Sequence, residues 1–199
     1  MENVDDLASL LDSLGDSDAS KRESAARELY RRGCQAAQPI VANWLSNPEL
    51  KRCIISGESP TAQLTVGVAV RSAKFERIRA VYGMPPLAEV PPDQDAKEFE
   101  LELPGGLRID VLTTREPGGP GAIARYLETH GEGIQQIEIR SRDVDGATEL
   151  LRLKFALAPI YPATRPGADG TRVNFFLVPT RQGKKLLIEL VETKPGVKL

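Results

Sequence analysis

Between residues 97 and 103 the chain alternates strictly, with Phe99, Leu101 and Leu103 on one side and Glu98, Glu100 and Glu102 on the other. A period of two marks a β-strand with one buried face. Pro104-Gly105-Gly106 reads as a hairpin turn and Leu107 to Leu112 as the returning strand. The Val-rich run from Gln63 to Val70 is a further strand, followed by a short helix over Ser72 to Tyr82 and a short strand over Pro85 to Val90. A Gly/Pro loop (Pro117 to Gly121) and a helix from Ala122 to Thr129 come next. The order then repeats: strand Gly133 to Arg140, helix Asp143 to Phe155, a short strand near Ile160 to Pro162, strand Thr171 to Val178, a turn, and strand Lys185 to Val191. The chain thus reads as strand-helix-strand-strand-strand, twice, without residue identity between the halves.

The first 50 residues follow a helical period instead. Leu7, Leu10, Leu11 and Leu14 share one face, and Gly15 stops the helix. Asp18 or Ser20 caps a second helix, with Glu23 placed as in a capping box and Gly33 as its expected end. A third runs from about Cys34 to Leu45. The stretch from Ser20 to Leu29 resembles the start of a HEAT-type helical repeat. One such unit cannot bury a core alone, so it is expected to pack on the rest of the chain or on a partner. Four segments result: a helical subdomain (1–50), a polar linker (51–62) with Gly57 and Pro60, a main domain (63–192) and a tail (193–199). The fold class is α+β.

Composition narrows the partners. Net charge is -2 over 199 residues, which argues against a general nucleic-acid binder. No apolar run reaches the roughly 20 residues that span a bilayer, and the acidic start carries no signal-peptide core. The expectation is a cytoplasmic protein that acts neither on membranes nor on nucleic acid. Cys34 and Cys53 form no metal-binding pair and read as reduced structural thiols, with a bridge between them as the alternative.

Three segments carry a family resemblance. They are Leu64-Thr65-Val66-Gly67-Val68-Ala69-Val70, then Gly131 to Ile139 with Asp143-Val144-Asp145, and last Arg172 to Pro179 with Gly183 and Leu186 to Glu192. In order and spacing these resemble the vicinal-oxygen-chelate superfamily, which includes glyoxalase I, methylmalonyl-CoA epimerase, extradiol dioxygenases and the bleomycin-resistance proteins. The epimerase branch is the nearest in pattern. The resemblance implies paired modules forming a cupped mixed sheet. In metal-dependent members, four strands each contribute one ligand. By position these fall on Thr65, Asp110, Gln136 and Glu189. Glu189 keeps the family's ligand type and Asp110 is an oxygen substitute, while both histidines are absent.

That donor set offers oxygens only. Zinc and cobalt favour imidazole or thiolate, so a site without metal is the preferred reading. A hard cation, Mg or Ca, held through Asp110 and Glu189 is the alternative. Without metal, Asp110 and Glu189 are the expected acid-base pair and Thr65 and Gln136 the groups that hydrogen-bond a substrate oxygen. Glu98 lies near a second epimerase glutamate, but its alternation with Glu100 and Glu102 favours a solvated strand face. His130 reads as a helix-end residue. Gly118 to Gly121 precedes a helix without a P-loop lysine, and Arg181, Lys184 and Lys185 form a basic turn best read as solvated charge.

Two functions stay open. One is a divergent isomerase or lyase that moves a proton on a small carbonyl or acyl compound. The other is a non-catalytic small-molecule binder or sensor of the bleomycin-resistance type. A homodimer is expected by analogy with the family.

Overall fold

A computed structural model describes residues 4–54, 64–180, 183 and 185–192. Most of the expected linker, including Gly57 and Pro60, lies outside these residues, as do Gln63, Arg181, Lys184 and the 193–199 tail. The described residues form six α-helices and seven strands, which makes the chain α+β. None of these helices is long and apolar enough to cross a membrane. The chain divides into two compact units, residues 1–33 with 66–135 and residues 34–65 with 136–199.

In the first unit, β2 (Ala96–Leu103) pairs antiparallel with β3 (Leu107–Thr114), and β1 (Leu64–Ala69), most of which lies in this unit, flanks β3. Gly105 and Gly106 take φ of 88° and 73° in the turn between β2 and β3, which explains their presence there. Phe99, Leu101, Ile109 and Val111 share one buried face, since Phe99 pairs with Val111 and Leu101 with Ile109. Helices α4 (Ser72–Val81) and α5 (Ala122–His130) pack on β3. Phe75 of α4 meets Phe99 edge-on at 4.9 Å. The strand expected over Pro85 to Val90 is absent. Pro85, Pro86, Pro91 and Pro92 have no N–H to give a ladder, and the one backbone bond from the segment to β2 runs from Ala88 N–H to the Glu98 carbonyl.

Helix α1 (Val4–Leu14) ends where Gly15 was expected to stop it. Ions tie it to this unit: Lys74 Nζ lies 2.7 Å from Asp12 and 2.6 Å from Glu132. Glu132 also accepts the Arg71 backbone N–H at 2.8 Å. Burial pulls the Lys74 pKa down, but its two carboxylate partners outweigh that and raise it overall.

Helix α2 runs unbroken over Ala19–Leu45, through Gly33 and past Pro39, so the expected pair of helices is one. Of the two candidate caps, Asp18 does the work, accepting the Ser20 N–H at 2.9 Å. Gly33 fails as a stop because the buried stripe never changes phase. Ala26, Tyr30, Cys34, Ala37, Val41 and Trp44 follow at three- or four-residue steps across it. A mid-helix glycine costs only about 1 kcal/mol, and one such stripe outweighs that.

The second unit orders its strands β4-β7-β6-β5, where β4 is Gly133–Ser141, β5 Arg165–Pro166, β6 Arg172–Pro179 and β7 Lys185–Glu192. Its sheet is mixed: β4 and β7 are parallel, β7 and β6 antiparallel. The short strand expected near Ile160 to Pro162 reduces to one bridge, Pro159 with Phe176, and the short pairing moves to Arg165–Pro166. Pro159 and Pro162 lack the N–H groups a longer ladder there needs. Helix α6 (Val144–Phe155) is capped by Asp143, which accepts the Gly146 N–H at 2.8 Å.

A helix that the sequence reading missed, α3 (Pro48–Cys53), packs on α6. Its signal was present. Asn47 accepts the N–H groups of Glu49 and Leu50 at 3.0 and 2.9 Å, Pro48 opens the first turn, and Leu50 is fully buried. Cys34 and Cys53 are free thiols, so the alternative of a bridge is not seen.

Two stability measurements follow. Asn47→Ala removes the α3 cap and should lower the urea-unfolding free energy by about 1 kcal/mol. Lys74→Met leaves Glu132, whose side chain is 19% exposed, without its cation. It should cost roughly 1–2 kcal/mol in the same assay, less than a fully buried pair because Asp12 is largely exposed.

Candidate functional site

Strand register decides which side chains share a surface. In the second unit Gln136 pairs with Leu187, Glu138 with Glu189 and Arg140 with Val191. Across the next ladder Leu177 pairs with Leu187, Phe175 with Glu189 and Val173 with Val191. Paired residues project to the same side and successive residues to opposite sides. One face therefore carries Gln136, Glu138, Phe175, Leu177 and Glu189. The other carries Ile137, Ile139, Asn174, Phe176, Ile188 and Leu190.

The second face holds the helices. All six of those residues are at most 1% exposed, and Trp44 of α2 meets Phe176 edge-on at 6.4 Å. The first face is graded. Glu189 and Gln136 are buried, Glu138 and Phe175 are half-buried, and Leu177 is 48% exposed. A surface that opens from buried polar groups to exposed apolar ones is suited to a ligand rather than to a core.

Within that face the Gln136 Nε2 donates to Glu189 Oε2 at 2.6 Å. An ionised carboxylate only accepts, so the amide must turn its NH2 toward it. The bond crosses from β4 to β7 diagonally and fixes the glutamate against a buried donor. Beside it stands Phe175, whose ring meets Tyr161 at 6.0 Å and 71°. The Arg165 guanidinium lies over the Tyr161 ring at 4.4 Å. The Asn174 amide, fully buried, donates to the Tyr161 carbonyl at 3.3 Å and so holds the loop that carries this ring. Residues 165–171 continue over Val173, close enough that a Cβ on Gly167 would lie 2.5 Å from a Val173 methyl. The wall built by this loop runs along β6.

Of the four site residues named from sequence, Gln136 and Glu189 are thus in direct contact. Thr65 is also in the second unit, 1% exposed at the second position of β1. Asp110 is in the first unit, half-buried on β3 and paired with Glu100. Glu98, one step diagonal from it, is half-buried on the same face and is less solvated than its alternation with Glu100 and Glu102 suggests. Burial pushes the Glu100 carboxyl above its ordinary range and Glu102 adds to this, while Arg108, 3.7 Å away, pulls it back in part.

Glu138 is not among the residues that the family resemblance points to. The signal was the polar alternation of Gln136, Glu138 and Arg140 against Ile137 and Ile139, which puts a second carboxylate beside Glu189.

The remaining candidates are elsewhere. His130 is exposed at the end of α5, its ring 5.2 Å from Tyr126. The Gly118 to Gly121 loop meets an anion of its own, since a Cβ on Gly121 would lie 2.5 Å from an Asp95 carboxylate oxygen. Lys185 is exposed at the start of β7.

Zinc and cobalt favour imidazole or thiolate donors. Thr65, Asp110, Gln136 and Glu189 include no imidazole or thiolate, and one Glu189 oxygen already accepts an amide N–H. Among the described residues no three or more His, Cys, Asp and Glu side chains gather so as to hold a metal ion.

No protein-family model matches the chain. No curated protein matches it either. Solved structures do. The methylmalonyl-CoA epimerase of Mycobacterium tuberculosis superposes with a TM-score of 0.56 at 29% identity, over 71% of this chain and 94% of that one. A hypothetical protein from Bacillus halodurans gives 0.55 at 26% identity, over 68% and 96%. A Streptomyces coelicolor methylmalonyl-CoA epimerase variant, in complex with 2-nitronate-propionyl-CoA, gives 0.55 at 26% identity, over 68% and 95%. Such epimerases are vicinal-oxygen-chelate proteins, and the fold of this chain is of their glyoxalase/epimerase type.

Proposed function

We propose that this protein moves a proton on a small acyl or carbonyl compound without a resident transition metal, with Glu189 as the base. The buried hydrogen bond from Gln136 to Glu189 carries this reading. It holds the carboxylate at one place on a graded, partly apolar face, and a positioned base of this kind contributes about 10²–10⁴-fold to a proton transfer. Gln136 and Thr65 are the groups that would bind a substrate oxygen, and Asp110 the second carboxylate named from sequence. Likeness to epimerases, one solved with methylmalonyl-CoA and ammonium, makes acyl-CoA thioesters the first compounds to try.

A second reading is a non-catalytic binder. The Tyr161–Phe175 pair, with Arg165 over Tyr161, favours it, because an aromatic wall beside a carboxylate retains a ligand whether or not a bond is broken. The HEAT-like helical unit, the 51–62 boundary and homodimerisation belong to either reading as proposals.

Exchange of the α-hydrogen of methylmalonyl-CoA in D2O, followed by mass spectrometry, separates the two. The expected result is exchange that falls at least about 100-fold in Glu189→Gln while affinity for the thioester stays within about threefold. Saturable binding with no exchange in the wild type favours the binder. Plasma mass spectrometry of protein purified without chelator or affinity metal should find far less than one divalent transition ion per chain. A near-stoichiometric ion that disappears in Glu189→Ala would overturn the metal-free reading.

A further inference from the structure

Aspartate is followed by glycine at two places in the second unit, Asp145-Gly146 and Asp169-Gly170. In this dipeptide the backbone nitrogen of the glycine can attack the aspartate carboxyl carbon. The two groups are tethered side by side, and a residue without a Cβ neither crowds the nitrogen nor restricts rotation of the peptide. The fold treats the two pairs differently. Asp145 and Gly146 belong to the first turn of α6, where the Gly146 N–H donates to Asp143 Oδ1 at 2.8 Å. The Asp145 carboxylate is engaged as well, by the Arg172 guanidinium and by the Thr164 hydroxyl at 2.8 Å. Nitrogen and carboxyl are therefore both held, and the helix fixes the peptide between them.

Asp169 and Gly170 are both exposed, on the loop that forms the wall along β6. Asp169 stands at φ 51° and ψ 30°, and Gly170 at φ 70°. That left-handed conformation is one that only glycine adopts without strain, so the aspartate gains by leaving it. The bonds that close the turn are made by its neighbours. Gly167 N–H donates to the Thr171 carbonyl at 2.9 Å, and Thr171 N–H and hydroxyl donate to the Ala168 carbonyl at 3.0 and 2.7 Å. None of these uses the Gly170 N–H.

We propose that Asp169-Gly170 is a self-modification site, where the folded protein converts its aspartyl link to an isoaspartyl one while α6 protects Asp145-Gly146. The Gly170 nitrogen bonds to the Asp169 side-chain carboxyl carbon and gives up its proton. The carboxyl gives up a hydroxyl, so one water leaves and a five-membered imide remains. Water then adds to one of the two imide carbonyls. Opening at the side-chain carbonyl restores aspartate. Opening at the main-chain carbonyl leaves the chain running through the Asp169 β-carbon, one backbone atom longer. Water is the only co-reactant, and no oxidation state changes. The turn has no room for the extra atom. A Cβ on Gly167 would already lie 2.5 Å from a Val173 methyl, and the residues just before it, Arg165 and Pro166, pair with Val173 and Arg172. Lengthening the turn breaks its closing bonds and that pairing, and with them the seat of the Arg165 guanidinium over Tyr161. The wall of the candidate site thus ages, whether or not the site turns over a substrate.

The test ages the full chain at neutral pH in the warm, once folded and once in concentrated urea. Each sample is then digested with an endoprotease that cuts before aspartate but not before isoaspartate, and the peptides are weighed. In the folded sample, loss of cleavage without change of mass is expected at 169 and not at 145. In urea both positions should lose cleavage at comparable rates, because the protection of Asp145 comes from the fold. Equal loss at the two positions in the folded protein, or none at 169, overturns the proposal. So does an Asp145 that stays intact in urea. Asp169→Glu, whose longer side chain would have to close a six-membered ring, should abolish the product at 169. If that variant does not fold, the comparison of the two positions in the wild type still decides. Hydrogen exchange on the aged fraction reads the consequence. Protection at the Gly167 and Thr171 amides should be lost, and unchanged protection there would overturn the link to the wall.

Discussion

The parallel register of β4 with β7 is the constraint on which the candidate site depends. Because side chains alternate with a period of two, a slip of one residue would exchange the faces of a whole strand. It would send Glu138 toward the helices and bring Ile137 or Ile139 to the open side. The register is held by what fills the opposite face: Ile137, Ile139, Ile188 and Leu190 are at most 1% exposed, and none could turn outward without losing that burial. Roughly 1.5–3 kcal/mol for each such side chain makes the slipped pairing far less stable. The positions of the polar groups are therefore set by apolar groups they do not touch.

The same logic explains what was legible in the sequence. Strands with one wet face, such as Ala96–Leu103, declare themselves by alternation, and their limits fell within a residue or two of expectation. Helix α2 is harder to read, because Gly33 looks like punctuation although the stripe on either side of it keeps one phase. The strand expected over Pro85 to Val90 is an error of the opposite kind, where apolar content outweighs two prolines within the segment and two just after it. Helix α3 was lost because its six residues hold one apolar core position, Leu50, and only the Asn47-Pro48 start betrays it.

The site was legible in a narrower sense. Gln136 and Glu189 were reached through positional resemblance, and the structure joins them by a hydrogen bond. Glu138 was in plain view in the same strand, but a carboxylate in a polar alternation looks like any solvated residue until the partner strand is known. Which residue of β7 stands beside it depends on a parallel pairing across some fifty residues of chain, and no local pattern encodes that. Tyr161 and Arg165 were hidden for a related reason, since they sit on an irregular loop whose position is held by Asn174 from the buried side of β6.

The way the two compact units are threaded also bears on how the chain is made. Each is assembled from two separate stretches, and they are completed in turn during synthesis. Once residue 135 has left the ribosome, every part of the first unit is present. The residues from Cys34 to Ile54 have by then been waiting, with Trp44 still lacking Phe176 of β6 and α3 still lacking α6. For that interval a nascent chain carries the C-terminal half of α2 with its apolar face uncovered. Such a face is the kind of surface that chaperones hold.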